Sequence, residues 1–314
     1  DSVLAELIEK LGADRKSGLF VHTAGSISVD VFKGKTERYG VLYPMQSFSK
    51  QKEVDFKHIP FFIEANNDED CNMLHALASS LSDRVYDLGS EARKHLHLAA
   101  VFACNFANHC YELSAEVLDK YNIPFSVMLQ LIDETSRKVH TVSPIDAQTG
   151  PAVRYDENVI GMQRELLADN PRIQKIYDMM SSSIHEVAKK KENKENEILE
   201  AAEKLFAEKG FKGATTTLIA AEAGVTHAML HYYFRTKDQI FLKVLDTYTE
   251  EIRQSLKSIM VSEINDTDFM RKVIEISFDF FNEHSGQMSL FFEVCKERPE
   301  LIKDYVDNLE KHID

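Results

Sequence analysis

The chain has 314 residues, 44% of them hydrophobic and 28% charged, with a formal net charge of −14 and four scattered cysteines. That length holds two domains with cores of their own, and the composition is ordinary for a protein that folds in water. No apolar run reaches the roughly 18 residues a helical span needs, so no membrane-spanning helix is expected.

The opening stretch DSVLAELIEKLG lacks a basic n-region and is not a signal peptide. Cys71, Cys104, Cys110 and Cys295 form no C-x-x-C pair, which fits reduced thiols in a cytoplasm, and no metal-ligand set is expected. Charge is uneven: residues 1–188 carry −8, residues 189–243 carry +2 and residues 244–314 carry −8. Only the middle stretch could approach a polyanion without heavy repulsion.

In chain order, Val3, Leu4, Leu7, Ile8 and Leu11 recur at helical spacing and Gly12 supplies the stop. GLFVH (18–22), YGVLYP (39–44), IPFFIEA (59–65) and RVYDL (84–88) are β-rich runs bounded by turn residues. Residues 69–82 read as a crossover helix between the last two strands, an α/β layering. Strands then cease, and helices follow at about 91–120, 124–139, 156–168 and 171–188.

Three polar features stand out in this part. At about 100° per residue, Lys94, His97, Val101, Asn105 and Asn108 share one narrow face, suited to a polar cleft, a subunit seam or a solvated stripe. In QTGPAVRYD (148–156), Gly150-Pro151 forces a turn, and Arg154 and Asp156 could pair or hold an anion. HTAGS (22–26) is small and polar directly after a strand, where ligands sit in doubly wound sheets.

The blocks VHTAGS, YGVLYPMQSFS, RKHLHLAAVFACNFANHCYEL and QTGPAVRYD, in that order, resemble a family of bacterial Rossmann-like proteins of uncharacterised activity. These are distant relatives of ketopantoate reductase and pyrroline-5-carboxylate reductase. Over residues 1–188 the resemblance implies a sheet domain (1–90) and a helical, dimer-forming domain like the C-terminal part of 6-phosphogluconate dehydrogenase (91–188). It implies a cleft lined by His22, Ser26, Lys94, His97, Asn105 and Arg154. NADP(H) is the cofactor it suggests, with a small carbonyl or imine as substrate and Lys94 or His97 as proton donor. One departure matters: none of the twelve glycines falls in a G-x-G-x-x-G pattern, which a dinucleotide pyrophosphate requires. The expectation is a partial sheet that begins after the cofactor-binding unit, and enzyme activity stays open.

AKKKENKENE (188–197) is all charge and amide apart from its first residue, and reads as a linker at 189–196 or a solvated helix end. Beyond it everything has helical period. Ile198, Leu199, Ala202, Leu205 and Phe206 form one stripe that Gly210 ends, and Thr216 or Thr217 can cap a short helix, LIAAEA. Gly224 supplies a positive-φ turn, Thr226 caps HAMLHYYF, and Leu230 and Phe234 point inward. Two short helices joined by a glycine turn make a helix-turn-helix, whose second helix enters the major groove.

The pattern T-x-x-x-I-A-x-x-A-G-V followed by L-x-x-Y-F-x-x-K is Thr215, Ile219, Ala220, Ala223, Gly224, Val225 and Leu230, Tyr233, Phe234, Lys237 here. It resembles the TetR family of bacterial transcription regulators. The resemblance implies that Thr226, His227, Ala228 and Met229 face base edges of a palindromic operator. Thr217, His231, Tyr232, Tyr233 and Lys237 would meet phosphates. It also implies a homodimeric, cytoplasmic repressor released by a small-molecule effector. Helices at about 244–262, 267–285 and 299–312 would form a C-terminally shortened effector and dimerisation domain (244–314) behind the reading head (197–243). Phe278, Phe280, Phe281, Phe291 and Phe292 line either that pocket or an ordinary core. Two other functions stay open: a reductase with an appended helix-turn-helix, and a dimerising or sensing platform, including one made by the joining of neighbouring genes.

Overall fold

The computed structural model describes residues 3–12, 18–48, 53–260 and 266–310. They form two compact units that divide between Glu134 and Thr135.

In the first unit, helix α1 (Leu4–Gly12) buries Ile8, while Val3 and Leu7 stay exposed. Four strands follow: β1 (Leu19–His22), β2 (Arg38–Pro44), β3 (Phe61–Ala65) and, after helix α2 (Asp68–Leu81), β4 (Val85–Asp87). They pair in chain order as a small mixed sheet, β1 parallel to β2, β2 antiparallel to β3 and β3 parallel to β4. All four expected strands are present, and α2 is the expected crossover. Its start is set by Asn67, whose side chain accepts from Asp70 N–H, and by the acidic first turn Asp68-Glu69-Asp70. Alternation along β3 sends Phe61 and Ile63 inward, where they meet Ile59 and the Leu74 and Ala78 face of α2.

The single helix expected over 91–120 is interrupted. Helix α3 (Ser90–Ala100) passes into a π-helical turn, Val101–Phe106, before α4 (Ala107–Asp119). A π turn bonds i to i+5 and holds one residue more than an α turn, so the 100° spacing behind the polar stripe fails there. Lys94, His97 and Val101 are half-buried, while Asn105 and Asn108 face solvent. Helix α5 (Leu129–Lys138) follows a 3-10 turn at Phe125–Met128.

The second unit begins with short helices α6 (Pro144–Ala147), α7 (Pro151–Arg154) and α8 (Glu157–Glu165). Asp156 does not pair with an arginine here; its side chain caps α8 by accepting from Val159 N–H at 3.2 Å. Helix α9 then runs from Pro171 to Gly213, with α7 and α8 packed on its first half. The charged stretch 189–196 is helical within it, and the break falls at Gly210, where φ is 68°.

Helices α10 (Thr216–Glu222) and α11 (His227–Tyr233) follow, then α12 (Lys237–Met260), α13 (Asp266–Glu283), α14 (Ser285–Glu297) and α15 (Pro299–Glu310). Helix α14 falls between the helices expected at about 267–285 and 299–312, and it supplies Val294 to the core. That core gathers Ile198, Leu205 and Phe206 of α9, Ile219 and Ala220 of α10, Leu230 of α11, and Ile240, Phe241 and Leu245 of α12.

Candidate nucleic-acid interface

Thr215 begins α10, accepting from Leu218 N–H at 3.2 Å; Thr216 and Thr217, the caps expected from sequence, lie inside the helix. Gly224 takes φ 64°, and Val225 N–H donates back to Ala220 C=O at 2.9 Å, closing the turn. Only glycine adopts that conformation without strain. Thr226 then begins α11, its hydroxyl accepting from Met229 N–H at 3.1 Å. With Leu230 sealed in the core and Phe234 behind it, the opposite side of α11 is left outside. Thr226, His227, Ala228 and Met229 are all exposed.

The surrounding side chains are partly committed to one another. His227 Nε2 lies 3.2 Å from Thr216 Oγ1, linking α11 to α10, and the His227 and His231 rings meet edge-on at 4.3 Å. His231 Nδ1 lies 3.2 Å from the Arg235 carbonyl oxygen. Thr217 and Tyr232 are exposed, whereas Tyr233 is half-buried, and burial raises its phenol pKa. Lys237 departs most from the sequence-based picture. Its ammonium donates to the Phe211 carbonyl at 2.7 Å, sits 4.3 Å from the centre of the Phe211 ring, and has its pKa lowered by burial.

The local positive balance is also largely spent within the fold. Lys204 pairs with Glu222, Lys212 with Glu297 and Lys191 with Asp146. Arg235, just past α11 and exposed, was missed in the sequence because no motif position marks it.

The residues expected to line a reductase cleft divide between the two units. His22 is buried at the end of β1, its ring stacked on Phe32 and its Nδ1 accepting from Ala24 N–H at 3.2 Å. His97 lies 3.2 Å from the Tyr43 hydroxyl and packs against Gly25. Lys94 is paired with Glu91 on its own helix, Asn105 is exposed in the π turn, and Arg154 belongs to the second unit. Ser26 lies in the loop after β1.

What organises this region is a group the sequence reading omitted. Arg93, fully buried on α3, donates to Glu64 at 2.5 Å and to the Ile27 carbonyl at 2.6 Å, while Ser90 donates to Glu64 at 2.7 Å. The pair ties β3 and the loop after β1 to α3. Removing one partner of such a buried pair typically costs about 3–5 kcal/mol.

Comparison with known proteins finds two family matches along the chain. The family described as "Domain of unknown function (DUF2520)" matches residues 59–184, and the family "Bacterial regulatory proteins, tetR family" matches residues 198–244. Among solved structures, the candidate NADP oxidoreductase BF3122 of Bacteroides fragilis is 61% identical. It covers 59% of this chain and 72% of its own, with a TM-score of 0.57.

The transcriptional activator FasR of Mycolicibacterium smegmatis is 25% identical over 33% of this chain and 47% of its own length. The regulator YdgC of Bacillus subtilis is 25% identical over 37% of this chain and 62% of its own. The chain thus spans about half to three-fifths of the length of these two curated relatives. The sheet, the helices after it and the glycine-turned helix pair agree with these matches: the chain carries a DUF2520 domain, with the oxidoreductase-like fold of BF3122, and a TetR-family helix-turn-helix domain behind it.

Proposed function

We propose that the chain is a sequence-specific DNA-binding transcription regulator, acting as a homodimeric repressor on a palindromic operator. One observation carries this reading: four consecutive side chains, Thr226 to Met229, stand exposed on a helix whose next residue is locked in the core. Thr226 and His227 offer hydrogen-bonding groups to base edges, and Ala228 and Met229 offer apolar contact to a thymine methyl. Thr217, His231, Tyr232, Tyr233 and Lys237 are assigned to phosphates, which fix register without reading sequence. For Lys237 that role requires its ammonium to share or leave the Phe211 carbonyl.

Release follows from the course of α12. Its first turns hold Ile240 and Phe241 in the same core as Leu230, and its later turns carry Leu245, Tyr248, Thr249 and Ile252 along a cavity of about 210 Å³. Phe280, Met288, Phe291 and Tyr305 complete the wall. The lining suits a small apolar effector carrying one hydrogen-bonding group. Tyr248 donates to Glu203, and the Tyr305 hydroxyl lies 3.1 Å from Thr249 Oγ1, with burial pushing the Tyr305 phenol up to about 12. An effector that displaces α12 displaces the seat of α11.

The likeness to BF3122 points to NADP(H), but the loop after β1 is not the glycine-rich turn that would hold its pyrophosphate. The strand leads into a loop and a four-residue 3-10 turn, Val29–Phe32, and the space over Gly25 is filled by two rings. A Cβ there would come within 2.6 Å of His97 Nδ1 and 2.9 Å of Tyr43 Cζ, so Gly25 lets the His97 and Tyr43 rings close on the loop. No hydride-transfer step is assigned to these residues.

The test is selection of binding sites from random duplex DNA, followed by anisotropy titration over a salt series. His227→Ala is expected to relax preference at one base position and cost about 1–3 kcal/mol there; Lys237→Ala is expected to weaken all sequences evenly and lower the salt slope by about 1. Failure of the full chain to select any sequence would overturn the proposal. An unchanged slope in Lys237→Ala would confine that lysine to Phe211.

A further inference from the structure

We propose that Cys71, His75 and Asp87 form a zinc site in the sheet domain, independent of the DNA-reading half. Cys71 and His75 stand one turn apart on the same face of α2, and Asp87 closes the edge strand β4 beside that helix. Cys71 Sγ lies 3.7 Å from Asp87 Oδ1, and His75 Nε2 lies 2.7 Å from the same oxygen. All three donor atoms fall within 4.8 Å of one another.

Tetrahedral zinc, with bonds of about 2.0–2.3 Å to these donor types, separates its ligand atoms by roughly 3.3–3.7 Å. The 3.7 Å sulfur–carboxylate separation already fits, and the short His75 contact can open by movement of the exposed Asp87 side chain. A thiolate, an imidazole and a carboxylate together select zinc over magnesium or calcium, which take oxygen ligands.

Charge also favours a cation. The Asp87 and Asp68 carboxylates stand close enough to Cys71 for their negative charge to act on its sulfur. A divalent ion removes that repulsion as the thiol proton passes to solvent. The thiolate and the Asp87 carboxylate would balance the ion's two charges, with water in the fourth position. The ion would lie at the C-terminal end of the parallel β3–β4 pair, where Leu88 N–H donates to Ile63 C=O at 2.9 Å. It would staple a three-residue edge strand to α2 and leave an open Lewis-acid position on that edge.

The ordinary alternative is a His75–Asp87 hydrogen bond without metal, and the experiment separates the two. The full chain, stripped with chelator, is titrated with zinc and, separately, with cobalt(II). One equivalent of zinc per chain is expected. Cobalt is expected to give a near-ultraviolet thiolate-to-metal charge-transfer band and tetrahedral visible absorption. Cys71→Ser, His75→Ala and Asp87→Asn should each weaken zinc binding by about a hundredfold or more. Zinc should raise the Tm of the wild type, with that rise lost in each variant. Cys110→Ser, at an exposed position on α4, should behave as wild type.

Because Asp87 is largely exposed, Asp87→Asn keeps the test valid if Cys71→Ser folds poorly. Absence of stoichiometric zinc at micromolar free metal, or zinc binding undiminished in both Cys71→Ser and Asp87→Asn, would overturn the proposal.

Discussion

His22 shows how one buried side chain couples fold to solution conditions. Burial, and then the Arg93 guanidinium, lowers its pKa below the ordinary 6.5, and its Nε2 has no hydrogen-bond partner. The folded chain therefore resists a proton that the unfolded chain accepts. The stability tied to His22 is complete above about pH 6.5 and declines as pH falls through 6.5 toward the lower folded value. Urea unfolding at steps from about pH 7.5 to 5 should show a steeper loss in wild type than in His22→Asn, and parallel slopes would remove His22 from the account.

The same neighbourhood marks a limit of sequence reading. His22 and His97 stood out because His, Ser and Asn break an apolar pattern. Arg93 and Glu64 did not, because a charged residue on an amphipathic segment reads as solvated until tertiary contacts bury it. Lys237 shows the converse: its motif position was legible, and its bond to the Phe211 carbonyl was not.

The turn between α10 and α11 is where element-scale argument is strongest. A Cβ at Gly224 would meet nothing within 4 Å, so Gly224→Ala isolates the cost of a positive φ from any clash. Thermal unfolding is expected to show a loss of about 1–2 kcal/mol, with DNA affinity falling alongside as α11 shifts on its seat. Unchanged stability would mean that the turn relaxes to another geometry.

This element pair was readable because glycine, threonine and apolar spacing all mark the same boundaries. The strands were readable for a similar reason, since β-rich runs ended at turn residues. Sheet order and direction were not, because pairing depends on contacts remote in sequence. Helix α14 was hidden by Ser285 and Gly286 at its start, where tertiary packing of Val294 overrides weak local propensity. The π turn at Val101–Phe106 was equally invisible, because its residues are ordinary helix formers and only the bonding pattern differs.

At the scale of the molecule, α9 joins the last helices of the DUF2520 match to the reading head. Residues 189–196 have a linker's composition but continue the helix, so α7 and α8 are set on the same rod as the helix-turn-helix core. Lys191 reaches Asp146 of α6 from this stretch at 2.6 Å, and the fields of Lys191, Lys194 and Glu195 reach Tyr233. A helical junction has a phase, and a flexible tether has none. Each alanine inserted after Glu192 should turn α7 and α8 by about 100° relative to α10 and α11 and push them 1.5 Å along the axis. Seven insertions should bring them back to within about 20°. Operator affinity measured across one to seven insertions should therefore oscillate, while a smooth trend would mean that the two halves are mechanically indifferent to one another. The junction is thus a screw thread, and the phase of α7 and α8 against α10 and α11 is written in the number of residues between Lys189 and Ile198.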